Sequence, residues 1–505
     1  MSRGAATGST RRNLQRVLRA NVLGSAVGLG TQFATAPYLV HTLGLRVYGT
    51  YAVLATWLAF GVLVDFGVRA ELVRRIAAAN GAGDRQALQR AVADGTGLLA
   101  RTATVVLIVG AAASPLIVGF VFTRRSDAAV GNPRLLLIAL LAVLCVGLVL
   151  DGFFSVLDGL QRGDVRARAG IVTNLVRAGT AVGLVSAVHS AWSLLAAAAV
   201  AAVANYTYCF VALRRIAPDI RLVLARLSPG AARGLLGVSA MFAAAQVCDL
   251  VDFSIDRLYL SRYVGSEAAA QYAIGTQLPL TLRGLALIPL GLLITAVAEL
   301  RTSQPDRLDR IFVLVSRSTL AAAATAMAGV VALAPAFYAL YLGSGYGLTA
   351  TAAQLLAVAM FLNLLGAPWT LYAAGSGWYP VIAIAALSNL VVNATASLLL
   401  VQRIGYDGAL YGSILGNLVG LVVLWLLIRL REHRAWLAPL VVPVVSAPLF
   451  ALGLHLVVVA VSVDRWWEFA LVAVAGGLVE VGLLHRCGVL DTGAVRTLVR
   501  RDPPA

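Results

Sequence analysis

The chain has 505 residues, 60% of them hydrophobic and 12% charged, with a formal net charge of +17. Soluble domains carry roughly 25% charged residues, so this composition excludes that class and points to a polytopic membrane protein. The positive charge does not argue for a nucleic-acid partner, because all 40 basic residues are arginines and they gather in alternate loops.

A helical membrane span needs about 20 apolar residues. In chain order this predicts spans at 18–40, 50–69, 95–122, 134–157, 169–188, 191–213 and 235–257, then 270–297, 312–334, 350–373, 379–401, 408–430, 438–461 and 467–485. The leader 1–17 is polar and rich in arginine and runs directly into the first span, so no cleavable signal peptide is expected. With the N-terminus in the cytoplasm, thirty-one of the 40 arginines fall on the cytoplasmic side, eight on the other, and Arg283 lies within a span. That bias follows the positive-inside rule and predicts a cytoplasmic-membrane protein with both termini cytoplasmic.

The fold class expected is an all-α polytopic membrane protein of about fourteen transmembrane helices. Its domains read as a leader (1–17), an N-terminal six-helix lobe (18–213), a cytoplasmic linker (214–234) and a C-terminal six-helix lobe (235–430). A two-helix hairpin (431–485) and a cytoplasmic tail (486–505) follow. The lobes carry an internal repeat: Gly44 and Tyr51 after the first span match Gly265 and Tyr272 after the seventh. Glu71-Leu72 is echoed by Glu299-Leu300, and Asp84-Arg85 by Asp306-Arg307. Six spans separate the copies, and an even number preserves orientation, so the lobes are expected to be parallel repeats.

Several chemistries find no support. The four cysteines are scattered and the five histidines isolated, so neither a metal site nor a disulfide framework is expected. Without lysine the chain has no Gly-x-x-x-x-Gly-Lys phosphate loop, and no cofactor is expected. The longest polar stretches, 69–94 and 214–233, are short for a membrane glycosyltransferase or polymerase. Both read first as solvated connecting helices, and alternatively as helices resting on an anionic leaflet.

Asn21 opens the first span, which ends in Pro37-Tyr38-Leu39-Val40-His41-Thr42-Leu43-Gly44, before Tyr48-Gly49-Thr50-Tyr51. The second closes on Asp65-Phe66-Gly67-Val68, followed by Arg74-Arg75-Ile76-Ala77, and the seventh carries Asp256-Arg257 ahead of Val264-Gly265 and Tyr272. In this order and spacing, over about residues 15–430, the chain resembles the polysaccharide exporters, or O-antigen-type flippases, of the multidrug/oligosaccharidyl-lipid/polysaccharide superfamily. The resemblance implies two six-helix lobes that flip a polyprenyl-diphosphate-linked oligosaccharide across the inner membrane. Implied partners are that glycan, membrane lipids and polysaccharide polymerases or glycosyltransferases. The last two spans depart from the twelve-span pattern. In fourteen-span relatives that flip a peptidoglycan precursor, the extra pair helps hold the lipid tail.

Arg283, in the apolar run from Gln277 to Thr295, is the leading candidate for a diphosphate contact. A charge at mid-membrane costs about 2.5–3.5 kcal/mol on insertion scales, and guanidinium binds phosphate bidentately. Pro279 and Pro289 predict a bend around it. The competing reading is an internal salt bridge to Asp249 or Asp252. Asp249, Asp252 and Asp256 fall at i, i+3 and i+7, on one helix face that Gln246 extends. They suit either uptake of a proton or Na⁺, or pairing with Arg257, Arg262 and Arg283. On the first span, Asn21, Gly24, Gly28, Gln32 and Thr35 recur at helical spacing. There the glycines suit helix packing and the amides sugar hydroxyls. Gln277, Asn363 and Asn389, the last paired with Asn393 at i+4, complete the substrate-binding candidates. Asp65 reads as a partner for Arg69. The alternatives to lipid-linked glycan transport are a cation-coupled drug exporter of the same superfamily and, less favoured, a membrane glycosyltransferase or polymerase.

Overall fold

The computed structural model describes residues 3–59, 68–122, 130–220, 240–431, 438–461, 463–486 and 488. Eleven helices among these are long and apolar enough to cross a membrane. The other three predicted spans, 18–40, 50–69 and 235–257, extend over residues or side chains outside the described set. Two compact units divide the chain, Met1–Ala243 and Ala244–Ala505.

In the first unit the elements are α1 (Arg3–Ala59), α2 (Val68–Gly81), α3 (Arg85–Val121), α4 (Pro133–Gly159), α5 (Gly163–Val188) and α6 (Ala191–Ile216). The leader is helical from Arg3 onward, and the expected first loop is reduced to a turn at Gly44. α1 is two helical segments meeting at Gly44, whose φ of 76° and ψ of 153° turn the chain without a longer loop. An L side chain rarely adopts that φ, so glycine is required there. Two later starts are capped by side chains. Asp84 accepts a hydrogen bond from the Ala87 N–H (2.9 Å), and Asn132 accepts one from the Leu135 N–H (3.1 Å) just before Pro133.

α2 lies in the predicted 69–94 polar stretch, yet its Leu72, Ile76 and Ala79 are buried. Leu72 and Ile76 are buried with Leu88, Val92, Phe154 and Leu157. The connecting-helix reading therefore gains a packed face, a correction to a solvated one. The 214–233 stretch ends in residues outside the described set from 221 onward.

The second unit contains α7 (Ala240–Tyr263), which begins at the division, α8 (Ser266–Leu290), α9 (Leu292–Leu300), α10 (Pro305–Leu342) and α11 (Gly347–Gly375). It continues with α12 (Tyr379–Ile404), α13 (Tyr406–Arg429), α14 (Ala438–Val461) and α15 (Trp466–Arg486). α8 starts after Gly265, at φ 127° and ψ 165°, so the two glycines of the sequence repeat share a positive φ with extended ψ. The predicted bend falls at one end only. α8 runs through Pro279 and gives way to α9 at Gly291, beside Pro289, whose missing N–H weakens the ladder there.

The core of this unit is built on α8–α13, with Leu293, Phe312, Trp369, Tyr372 and Leu424 at its centre. The final hairpin packs against α10 through Ala324, Ala328, Leu333, Ala447, Leu454 and Val472. Large apolar residues such as Leu116, Val203 and Leu449 face outward, as they must in a helix bundle surrounded by lipid.

Candidate functional site

The second unit holds a buried polar network in an otherwise apolar bundle, and Arg283 stands at one end. Arg283 is the central residue of the 35-residue apolar segment Ser266–Leu300. Its Nη2 lies 3.7 Å from Asp249 Oδ2, with side-chain exposures of 16% and 47% respectively. Its Nε donates to Asn363 Oδ1 on α11 at 2.7 Å. Asp249 and Asn363 thus supply the internal compensation that a mid-span charge requires.

The three carboxylates of α7 share one helix face but not one environment. Asp252 is 2% exposed and accepts hydrogen bonds from Asn393 Nδ2 (2.8 Å) and Asn389 Nδ2 (3.2 Å), both on α12. Asp256 is fully buried, and its Oδ2 accepts from Ser413 Oγ (2.6 Å, α13) and Tyr272 OH (3.0 Å, α8). Burying a carboxylate is tolerable only with such donors, because the low dielectric strengthens each bond and penalises each unmet lone pair. Asp249 thus lies within ion-pair distance of Arg283, while neutral donors hydrogen-bond to Asp252 and Asp256.

Close helix packing makes this possible. Gly408, Gly412, Gly416 and Gly420 recur every fourth residue on α13 and face α12. A Cβ at Gly416 would lie 2.7 Å from Asn393 Cβ, and one at Gly412 would collide with Ser397. Only glycine lets the two backbones approach so closely, the small-xxx-small device of membrane helices. Ser413 and Asn417 ride on this strip. Asn417 Oδ1 accepts from Asn363 Nδ2 at 3.0 Å, and Asn417 Nδ2 donates to the Ser413 carbonyl at 2.9 Å.

Among the predicted substrate residues, the structure brings Arg283, Asn363 and Asn389 into this network, with Asn389 turned to Asp252 as a buried donor. Gln277 is half-buried on α8. Gln32 is exposed on α1 in the first unit. The side chains of Asn21 and Gln246, and all of Asp65, lie outside the described residues. Arg257 is half-buried next to Asp256. The glycines of the first span pack as expected of small residues: a Cβ at Gly28 would meet Asn174 Nδ2 on α5 at 2.8 Å. Tyr272, Ser413 and Asn417 were not among the candidates. The signal for the last two was the four-residue glycine spacing of the twelfth span.

The first unit has its own charge cluster. Arg69 lies 3.9 Å from Asp151 and 3.7 Å from Asp158, Arg166 Nη1 donates to Asp158 at 2.7 Å, and Tyr206 OH donates to Asp151 at 3.1 Å. Both guanidinium groups sit 5.7 Å from the Phe154 ring centre. Between α14 and α15 runs a largely apolar groove of ≈ 790 Å³, lined by Leu449, Phe450, Leu454 and Val472 among others, with Ser446, Glu468 and Glu480 also on its wall.

The described residues form long apolar helices with a buried polar network among them, which makes this a multi-pass helical membrane protein. The sequence pattern of the polysaccharide biosynthesis protein family matches residues 19–295, and the chain belongs to that family. No curated protein matches it in sequence. Among solved structures, it has the fold of the lipid II flippase MurJ in its inward closed conformation, with a TM-score of 0.67 and 11% identity. That match covers 93% of this chain and 100% of MurJ. An inward-facing MATE-family multidrug resistance transporter matches with a TM-score of 0.59 and 17% identity, covering 81% of this chain and 98% of the other. The eukaryotic MATE transporter AtDTX14 matches at 0.54 and 17%, covering 84% and 98%.

Proposed function

We propose that the protein flips a polyprenyl-diphosphate-linked oligosaccharide across the cytoplasmic membrane for cell-surface polysaccharide synthesis, by alternating access between its two six-helix lobes. The observation that carries this reading is Arg283, a guanidinium at the centre of an apolar segment, steadied by Asn363 and only loosely paired with Asp249 at 3.7 Å. A diphosphate offers a denser negative charge than one carboxylate and matches the planar fork of the guanidinium. It would draw Arg283 away from Asp249 during transport. Asp252 and Asp256 take the coupling role, gaining and losing a proton or cation as the lobes exchange. The mostly apolar wall of the groove between α14 and α15 suits a polyisoprenoid chain. Partner enzymes on this reading are the glycosyltransferases and polymerases that make and use the lipid-linked glycan.

The test is flipping of a diphosphate-linked glycolipid in sealed proteoliposomes. Arg283→Ala is expected to cut transport by at least about tenfold, the effect of losing roughly 1.4 kcal/mol of binding. Arg283→Lys should fall between, since an ammonium keeps the charge and loses the fork. Undiminished transport by a well-inserted Arg283→Ala protein would remove the arginine from the mechanism. A second reading, cation-coupled export of cationic drugs, is favoured by the 47% exposure of the Asp249 side chain. Export of a cationic dye with no glycolipid movement would establish it in place of the first.

A further inference from the structure

The C-terminal end of α13 combines an apolar notch with arginines laid over tryptophan rings. Trp369 on α11, Leu421, Val422, Leu424 and Trp425 on α13, and Leu440 on α14 enclose a notch of ≈ 200 Å³ whose wall is aliphatic and indole. Drug-sized ligands occupy pockets of about 300–1,000 Å³, so this one suits a length of hydrocarbon chain rather than a whole small molecule. Arg429 follows Trp425 by one turn, about 6 Å farther along the helix axis, and its guanidinium lies 5.2 Å from the Trp425 ring centre. Two more guanidinium groups share a second ring, Arg301 at 4.5 Å and Arg431 at 5.4 Å from the centre of Trp378. Trp378 and Leu440 pack against the core cluster that holds Trp369 and Leu424, so the notch and the second ring belong to one region. Arg429 and Arg431 are exposed, and neither makes an ion pair among the described residues.

We propose that this end of α13 binds one anionic phospholipid of the surrounding membrane, with an acyl chain in the notch and the phosphate on Arg429. Arg301 and Arg431 add to the positive field on the same side. The arginine bias predicts this end of the bundle to be cytoplasmic, where basic pockets between spans take anionic head groups. The planar guanidinium fork matches two phosphate oxygens. Indole rings suit such a boundary, since their bodies are apolar and their edges tolerate water. A head group that carries its own ammonium fits less well, because that cation would lie among guanidinium groups. Arg283 is on α8 and takes no part, so the inference does not depend on the diphosphate reading.

The probe is phosphatidylglycerol with dibrominated acyl chains, diluted into phosphatidylcholine nanodiscs that hold the full-length protein. Bromine quenches tryptophan on contact, so a chain in the notch reports through Trp425 and Trp369. Wild type is expected to show a quenching step that saturates at a low mole fraction of probe, and Trp425→Phe should lose part of that step. Dibrominated phosphatidylcholine should quench only in proportion to its mole fraction. Arg429→Gln together with Arg431→Gln should raise the half-saturating mole fraction at least about tenfold, the effect of removing two charges from an anionic-lipid contact. Val422→Phe, at a position 46% exposed on the rim, fills the notch while leaving every arginine, and should abolish the step. Equal curves for the two lipids in wild type would overturn the proposal, and so would an unshifted curve in the double arginine variant. A step that survives Val422→Phe would place the chain elsewhere and overturn it as well. If farnesyl diphosphate reverses the step while unbrominated phosphatidylglycerol does not, the site belongs to a lipid diphosphate and the phospholipid assignment fails.

Discussion

Asn393 shows how one residue holds a charge inside the bundle. It is fully buried, donates to Asp252 at 2.8 Å, and accepts from Ser397 Oγ at 2.9 Å. A hydrogen bond to a charged group contributes about 1.5–3 kcal/mol. Asn393→Ala should therefore lower the thermal midpoint in detergent by several degrees. Asn389→Ala, which removes a bond of 3.2 Å, should lower it less. Equal midpoints for both variants and wild type would show that Asp252 does not depend on these donors. Arg283 was legible in the sequence because a charge in an apolar run stands out without any knowledge of its neighbours. Asn363 was legible only as a polar residue in a span. That its carbonyl would meet Arg283 follows from α11 lying beside α8, eighty positions apart in sequence.

At the scale of the element, α13 and α2 act by different means. α13 depends on space. Gly412→Ala would drive its Cβ against Ser397, including the backbone N at 2.7 Å, which cannot swing aside. Overpacking of this kind costs about 1–3 kcal/mol. Gly477→Ala on α15 has nothing within 4 Å of the new Cβ and should be neutral, so the pair separates crowding from loss of glycine itself. α2 depends on charge. Glu71 accepts from Arg74 at 2.7 Å and from Arg75 at 2.8 Å, and these partners, Arg74 foremost, hold its carboxyl down at about 2 from an ordinary 4.5. A folded-state value below the unfolded one means the ion pairs stabilise α2 fully above pH 4.5 and lose that effect as pH falls toward 2. Amide protection factors in α2, corrected for intrinsic exchange, should drop over that window in wild type and stay flat in Glu71→Gln. Glu71 with Arg74 and Arg75 at i+3 and i+4 is local geometry, visible from spacing alone. The interlock of α12 with α13 is not, since a glycine spacing does not name the helix it will face.

At the scale of the whole molecule, the arginine bias predicts that both ends of the chain share one side of the membrane. Single cysteines introduced at Ser2 and Arg500 in a background lacking the native ones should react with an impermeant maleimide only after the cells are permeabilised. Labelling of one terminus in intact cells would reverse that topology and require an odd number of spans.

By itself the sequence determined that this is a many-span helical membrane protein, where eleven of its spans run, and that Arg283 sits at mid-span. It also marked the repeated glycines, which the backbone shows at positive φ in both copies. These are consequences of length, hydropathy and single-residue geometry, and each is read within a window of about 20 residues. Only the tertiary structure decided that three carboxylates on one helix face would meet three different sets of partners. Only it showed that the expected first loop is a single turn at Gly44, that α2 buries Leu72 and Ile76, and that Asn363 meets Arg283 while Ser413 meets Asp256. The reason is physical. In a bundle every span is apolar around most of its surface, so hydropathy does not say which helix lies against which. Small residues and buried hydrogen bonds choose the neighbours, and their partners lie far apart in sequence.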